Sequence, residues 1–178
     1  MRRPVDVERL KRFVAEAARV ASPGTRVYVT GGASAVLEGW RLSTIDVDLR
    51  IEPDRDALLR EIPRIKEALE INVELASPPD FIPELPGWRE RSREFAREGD
   101  VRFLHYDFYA QALSKIERGH AQDLADAREM VRRGLVEPAR LLDLFEAIVP
   151  ALYRYPAIDP PSFRRSVEAF LAGGTTPA

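Results

Sequence analysis

A strict alternation of apolar and charged side chains in residues 45–52, IDVDLRIE, places the strongest constraint on the fold. Successive side chains of a β-strand point to opposite faces, so this period of two predicts a strand with one buried and one polar face. The apolar face carries Ile45, Val47, Leu49 and Ile51, and the polar face carries Asp46, Asp48, Arg50 and Glu52. Aspartate is uncommon in strands. Two aspartates on one face therefore suggest a specific role, although an ordinary solvent-exposed face is the simpler alternative.

The surrounding sequence predicts an α+β region followed by a helical region. The predicted elements before the helical region are helices at 6–21 and 54–70, strands at 26–30, 43–51 and 71–76, and a strand pair around a turn at 98–100. From Tyr109 onward the pattern is helical, with a break near Gly119. We therefore expect a mixed sheet backed by helices in residues 1–108. The helical portion in residues 109–178 can pack as one domain with it.

Composition excludes several classes of protein. The chain of 178 residues has no cysteine, so neither a disulfide framework nor a thiolate metal site can form. His105 and His120 lack the companions that a zinc site needs, and we expect His105 to be a packed or edge histidine. The formal net charge of −2 gives no general attraction to nucleic acid or to an anionic membrane. With no signal-peptide pattern and no apolar stretch near the ~20 residues that span a bilayer, we expect a cytoplasmic protein.

The two aspartates of the polar face suggest a divalent cation site. Alternate residues on one strand face are roughly 6.5–7 Å apart, and two carboxylates at that spacing repel each other unless a cation lies between them. Mg²⁺ prefers oxygen ligands and is commonly held by one or two carboxylates together with substrate phosphates. Asp46 and Asp48 are therefore the predicted ligands of Mg²⁺ or Mn²⁺.

The segment before this strand offers a complementary feature. Gly31 and Gly32 follow a predicted strand and precede a short predicted helix. Glycine allows a ligand to approach the backbone closely, and the N–H groups that begin a helix attract phosphate. Ser34 adds a hydroxyl to the same segment. The sequence thus predicts phosphate binding at residues 31–34 beside the metal site, although many Gly-Gly turns only connect two elements.

These features together resemble motif I of the nucleotidyltransferase superfamily that includes DNA polymerase beta. The matching pattern is Gly31-Gly32, thirteen residues, and then Asp46-Val47-Asp48. Within it, RLSTIDVDL resembles the R-x-x-T-x-D-[IV]-D-L form of small bacterial nucleotidyltransferase-like proteins, including the AbiEii type of abortive-infection and toxin–antitoxin systems. The resemblance implies a polymerase-beta-like α+β fold. It also implies that Arg41 and Thr44 help to bind nucleotide, with a loop ion pair and a strand-entry hydroxyl as the structural alternatives.

A second segment extends the resemblance into the helical portion. Proteins of this type carry a lysine on a later helix, followed by a basic residue-Asp-x-x-Asp pattern. The corresponding sequence is ALSKIERGHAQDLADAREMV, which contains Lys115, Arg118, Asp123 and Asp126. Gln122 departs from the pattern, since a basic residue often precedes the first aspartate. The resemblance implies a catalytic Lys115 that contacts triphosphate or target, supported by the other three residues. A surface lysine with a packed stem is the alternative.

The superfamily mechanism implies a function and a third metal ligand. In that mechanism two metal ions held by three carboxylates clamp a nucleoside triphosphate while a hydroxyl attacks and pyrophosphate leaves. Glu74 is the one acid in the next predicted strand, INVELA, so it is the candidate third carboxylate, or else an ordinary polar-face residue.

The implied activity is transfer of a nucleoside monophosphate to a protein side chain or to tRNA. A role in a toxin–antitoxin or phage-defence system with a cognate partner protein also follows from the resemblance. Two other classes remain open, namely a catalytically inactive binding or antitoxin-like module and a purely structural partner protein. Binding of Mg²⁺ together with nucleotide, and its loss on substitution of Asp46 by asparagine, would favour the transferase over these two classes. A large exposed apolar patch away from the aspartates favours a structural partner.

Overall fold

Two compact units make up the chain in the computed structural model, which describes residues 3–54 and 57–173. The first unit comprises the described residues of Met1–Ser77 together with Ser92–Tyr106. The second comprises Pro78–Arg91 and the described residues of Asp107–Ala178. The change at Tyr106–Asp107 lies close to the predicted boundary at residue 108. The proline-rich segment 78–91 groups with the helical unit.

A five-stranded mixed sheet forms the centre of the first unit. Its strands are β1 Arg26–Thr30, β2 Asp46–Glu52, β3 Asn72–Glu74, β4 Arg93–Glu98 and β5 Val101–His105. The order across the sheet is β3-β2-β1-β5-β4. The β1–β2 and β4–β5 pairs are antiparallel, whereas the β2–β3 and β1–β5 pairs are parallel. This arrangement confirms the predicted α+β class with a mixed sheet.

Three helices accompany this sheet: α1 Val7–Val20, α2 Gly31–Leu37 and α3 Ala57–Leu69. Residues 55–56 of the predicted helix 54–70 lie outside the described residues. The Asp6 carboxylate caps α1 by accepting a hydrogen bond of 2.9 Å from the Arg9 backbone N–H. The apolar sides of α1 and α3 pack with inward-facing strand residues in one core, as the helical spacing predicts.

The alternation of β2 is as predicted within the strand but not before it. Val47, Leu49 and Ile51 are buried in the core, while the intervening charged residues are half-buried on the other face. Ile45 does not join the buried face. It precedes the first strand residue and 76% of it is exposed. The period of two therefore located the strand correctly but extended its apolar face by one residue too many.

The second unit is helical, with α4 Trp88–Arg91, α5 Phe108–Arg118, α6 Ala121–Arg132, α7 Pro138–Ile148 and α8 Pro160–Gly173. The predicted break near Gly119 is confirmed. Gly119 has φ of +69° and donates its N–H to the Lys115 carbonyl, an αL helix ending that glycine adopts at little cost. None of the helices in the described ranges combines the length and apolarity needed to cross a lipid bilayer.

Asp107 begins α5 and also joins it to α4. Its carboxylate accepts from the Tyr109 backbone N–H at 3.2 Å and from the Arg91 guanidinium at 2.6 Å. Burial raises the pKa of Asp107 above its ordinary value, while the Arg91 charge acts in the opposite direction. This buried ion pair fixes the end of the proline-rich segment to the first turn of α5. It explains why 78–91 belongs to the helical unit.

We expect Leu49→Ala to lower the free energy of unfolding by about 2–5 kcal/mol, because it leaves a cavity in the core between β2 and the helices. Leu49 is 1% exposed. Leu42→Ala is a matched control, since Leu42 is 93% exposed and its truncation should change stability by less than about 0.5 kcal/mol. Urea denaturation of both variants tests this. Equal effects would contradict the assigned core.

Candidate functional site

The predicted metal ligands lie on one face at one side of the sheet. Asp46 and Asp48 occupy alternate positions of β2 and are both half-buried. The parallel pairing with β3 places Asn72 opposite Asp46 and Glu74 opposite Asp48. Four polar side chains, three of them carboxylates, therefore belong to neighbouring positions on the same strand pair. Glu74 occupies the strand position that the sequence predicted, and its role as a metal ligand stays a prediction.

The Gly31–Gly32 turn packs directly against this strand. A Cβ at Gly31 would lie 2.8 Å from a carboxylate oxygen of Asp48, and the φ of Gly31 is +63°. A Cβ at Gly32 would overlap with the Thr44 hydroxyl and would lie 3.3 Å from the Arg41 guanidinium. Only glycine fits such close approach at these two positions. The structure thus brings together five of the residues singled out from the sequence: Gly31, Gly32, Arg41, Thr44 and Asp48.

Helix α2 begins earlier than the sequence predicted, because both glycines belong to it. Ser34 is consequently inside the helix and fully buried. Its hydroxyl lies 3.1 Å from the Val29 carbonyl and 3.1 Å from Nδ1 of His105. These internal partners give Ser34 a structural role in joining α2 to the sheet, and its predicted contact with nucleotide stays a prediction.

Asn72 is the site residue that sequence reasoning missed. Its side-chain nitrogen lies 2.6 Å from an oxygen of Asp46 and 2.8 Å from an oxygen of Glu74. Among residues 3–54 and 57–173, no three His, Asp or Glu side chains are grouped closely enough to hold a metal ion. The spacing of two residues between Asn72 and Glu74 indicates that they share one strand face. A neutral side chain, however, does not stand out as a metal ligand in the way that a carboxylate does.

An open pocket adjoins Asp46 on the side of Asn72. Its volume is about 450 Å³, and it is lined by Arg3, Pro4, Ile45, Asp46 and Asn72. The exposed position of Ile45 is explained by this location, because its side chain forms part of the pocket wall rather than the core. The pocket gives a small ligand or ion access to one side of Asp46.

His105 joins α2 to the centre of the sheet. It is buried at the end of β5, with Nε2 at 3.0 Å from a Glu38 carboxylate oxygen. The Phe95 ring lies 4.9 Å away, and the Arg93 guanidinium lies 3.7 Å from the same Glu38 oxygen. Burial, assisted by the Arg93 charge, lowers the pKa of His105 to about 4. His105 is therefore a packed, neutral histidine at pH 7, as the sequence predicted.

Lys115 is buried inside the helical unit. Its ammonium lies 3.0 Å from an Asp123 oxygen and 2.8 Å from an Asp126 oxygen. Arg118 also pairs with Asp123 at 2.8 Å, and Gln122, the residue that departs from the resembled pattern, reaches Asp126 at 3.4 Å. Asp123 and Asp126 therefore hold the Lys115 ammonium directly, and Arg118 reaches it through Asp123; the supporting role of these residues in catalysis stays a prediction. The burial of Lys115 argues against a surface lysine, and its catalytic role stays a prediction.

We expect Gly32→Ala to destabilise the protein by about 1–3 kcal/mol, because the new methyl group must displace Thr44. Gly173→Ala is the control, since a Cβ at Gly173 meets nothing within 4 Å. Adding Thr44→Ala to Gly32→Ala removes the overlapping hydroxyl and should recover part of the loss. Thermal and urea denaturation measure the wild type, the control, the single variants Gly32→Ala and Thr44→Ala, and the double variant. Additive effects of the two substitutions would contradict the contact.

We expect His105 to make stability depend on pH between about 6.5 and 4. The unfolded histidine takes up a proton near its ordinary pKa of 6.5. The folded one does so only near 4. Stability therefore falls as the pH decreases through this range, by up to about 3 kcal/mol at 1.36 kcal/mol per pKa unit. The pH profile of His105→Gln should lose this slope, whereas that of His120→Gln, on an exposed histidine, should keep it. Identical profiles would contradict the assignment.

Comparison with known proteins identifies the family. Residues 8–151 match the family described as "Nucleotidyltransferase of unknown function (DUF6036)". No curated protein and no solved structure gives a significant match to the chain. The five-stranded mixed sheet with its helices is compatible with the nucleotidyltransferase fold that the sequence pattern implied. Since the match covers most of the sequence, this chain belongs to the DUF6036 family of nucleotidyltransferases.

Proposed function

We propose that the protein transfers a nucleoside monophosphate from a nucleoside triphosphate to a macromolecular acceptor, with a divalent cation at Asp46 and Asp48. The observation that carries this proposal is the close packing of Asp48 and Thr44 against Gly31 and Gly32. This packing brings the glycine part of the resembled motif next to its aspartate part. Because Gly31 and Gly32 have no side chains, phosphate oxygens can approach their backbone closely, directly beside carboxylates that can hold the phosphate-bound cation.

The donor set fits Mg²⁺ or Mn²⁺. Two half-buried carboxylates on one strand face supply hard oxygen ligands and leave positions for water and for triphosphate oxygens. When bound, such an ion neutralises triphosphate charge and stabilises charge that develops on the transferred group. Arg41 and Thr44, whose side chains lie close to Gly32, are the proposed phosphate-binding residues. Glu74 is the proposed third carboxylate, since it pairs with Asp48 in the strand register.

The acceptor is a protein side chain or a tRNA. Tight binding of RNA requires several basic residues that neutralise phosphates, and a net charge of −2 provides no general attraction of this kind. This favours a protein acceptor. The proposed role in a toxin–antitoxin or phage-defence system, with a cognate partner protein, rests on the AbiEii-type sequence resemblance alone. The proposed contact of Lys115 with triphosphate or target rests on the same resemblance.

One observation favours a second candidate, a catalytically inactive binding module with the same fold. The Asn72 amide occupies an oxygen of Asp46 that a metal ion would use. In the described parts of the chain, no group of three acidic or histidine side chains is assembled. A module that binds nucleotide without transferring it retains the glycine turn and the two aspartates but needs no complete set of metal ligands.

Incubation with each α-³²P-labelled nucleoside triphosphate, Mg²⁺ or Mn²⁺ and a cell lysate tests the activity. We expect one nucleotide to label a discrete protein or RNA band, which protease and ribonuclease then distinguish. Asp46→Asn should reduce labelling by about 100-fold or more, since it removes the charge that holds the cation. Asp54→Asn, on an exposed residue beyond the end of β2, is the matched control. Nucleotide binding that depends on Asp46 without any labelling would favour the inactive module.

A further inference from the structure

The Asn72 side chain lies between two carboxylates and donates to both. Its nitrogen is 2.6 Å from an oxygen of Asp46 and 2.8 Å from an oxygen of Glu74. A primary amide carries two protons on this nitrogen, so both hydrogen bonds can form at once. The two carboxylates are held together by a neutral donor. This donor reduces their repulsion but leaves their negative charge in place.

The same side chain has a second end with opposite chemistry. The amide oxygen is an acceptor, and a half turn of the terminal torsion exchanges it with the nitrogen. In the absence of a cation, the carboxylates favour the nitrogen. A divalent cation on Asp46 reverses this preference, because it repels the N–H protons and attracts the amide oxygen. Asparagine carbonyls are common oxygen ligands of such ions in proteins.

We propose that Asn72 is a cation-responsive ligand of the site. Without a divalent cation its nitrogen donates to Asp46 and Glu74. When a cation binds at Asp46 and Asp48, Asn72 releases Asp46 and turns its oxygen toward the ion. This inference rests on the proposed function, because it requires a cation at the two aspartates.

Two features of the structure allow the change. Asn72 is half-buried on β3, and it borders the open pocket of about 450 Å³ beside Asp46. Rotation of its amide therefore does not require repacking of the core. The strand register also holds Asn72 opposite Asp46 in both orientations, because only the end of the side chain turns. The amide of Asn72 thus offers the cation an oxygen ligand that is not a carboxylate.

Substitution by leucine separates a ligand from a simple hydrogen-bond partner, because leucine has a similar size and neither donates nor coordinates. If Asn72 is a ligand, Asn72→Leu should weaken Mn²⁺ binding by about 10-fold or more, since loss of even an outer-shell partner of a metal ligand costs this much. If Asn72 only competes with the ion for Asp46, the same variant should bind Mn²⁺ equally well or more tightly. Titration calorimetry and the Mn²⁺ EPR signal of the full chain measure the difference. Equal or tighter binding overturns the inference.

A second measurement does not depend on how well the leucine variant folds. Asn72 is the only asparagine in the sequence. Labelling with ¹⁵N-asparagine therefore gives one side-chain NH₂ pair in the NMR spectrum of the wild-type protein. Saturation with Mg²⁺ should shift this pair and speed its hydrogen exchange with water, since both N–H groups leave their carboxylate acceptors. Asp46→Ala, which adds no second asparagine, should abolish the response. An NH₂ pair that keeps its position and slow exchange when Mg²⁺ is bound overturns the inference.

The Mn²⁺ titration of the wild-type protein distinguishes failure of the proposed function from failure of the proposed role of Asn72. If the wild-type protein binds no Mn²⁺ in a manner that depends on Asp46, both the proposed function and the role of Asn72 are wrong. If binding depends on Asp46 but Asn72→Leu does not weaken it, only the role of Asn72 is wrong. Asp54→Asn again serves as the control for a general loss of negative charge.

Discussion

The close approach of Asp48 and Thr44 to the two glycines of α2 is the contact on which the candidate site depends. Without it, the start of α2 would not lie directly beside Asp48 of β2. The contact joins residues 12 or more positions apart in sequence, and it is possible because Gly31 and Gly32 have no Cβ. Buried hydrogen bonds hold the other side of α2. Ser34 of α2 and Glu38, which follows its last residue, both contact His105 on β5. These contacts hold the helix against the sheet.

Much of the fold could be predicted because its signals are local. The alternation in β2 depends on residues two positions apart, and the break at Gly119 depends on one residue with positive φ. Ile45 shows the limit of such reasoning. It continues the apolar alternation, yet it lies before the strand begins and lines a pocket instead of the core. Whether a pattern continues into the core depends on where the neighbouring strand ends, which local spacing does not specify.

Those residues of the candidate site that have distinctive side chains could be predicted from the sequence. Those whose role depends on strand pairing between residues far apart in sequence could not. Asp46 and Asp48 were conspicuous because carboxylates on a strand are uncommon. Asn72 is a neutral residue whose importance follows from its register opposite Asp46, 26 residues away. The partnership of His105 with Ser34 spans 71 residues. The pairing of Lys115 with Asp123 and Asp126 was easier to anticipate, since two adjacent helices bring them together. Removing Lys115 would leave the buried Asp126 carboxylate without its ammonium partner, which is costly.

The edge strands of the sheet bear on pairing with other chains. In the order β3-β2-β1-β5-β4 the edge strands are β3 and β4, and an edge strand can pair with another chain and start aggregation. β3 is only three residues long and carries Glu74, so it offers little length for pairing. β4 is longer but alternates charges of both signs, with Glu94 paired to Arg97 and Arg102. An intruding strand would have to displace these ion pairs. The same short, charged edge that carries Asn72 and Glu74 therefore disfavours pairing with a strand of another chain.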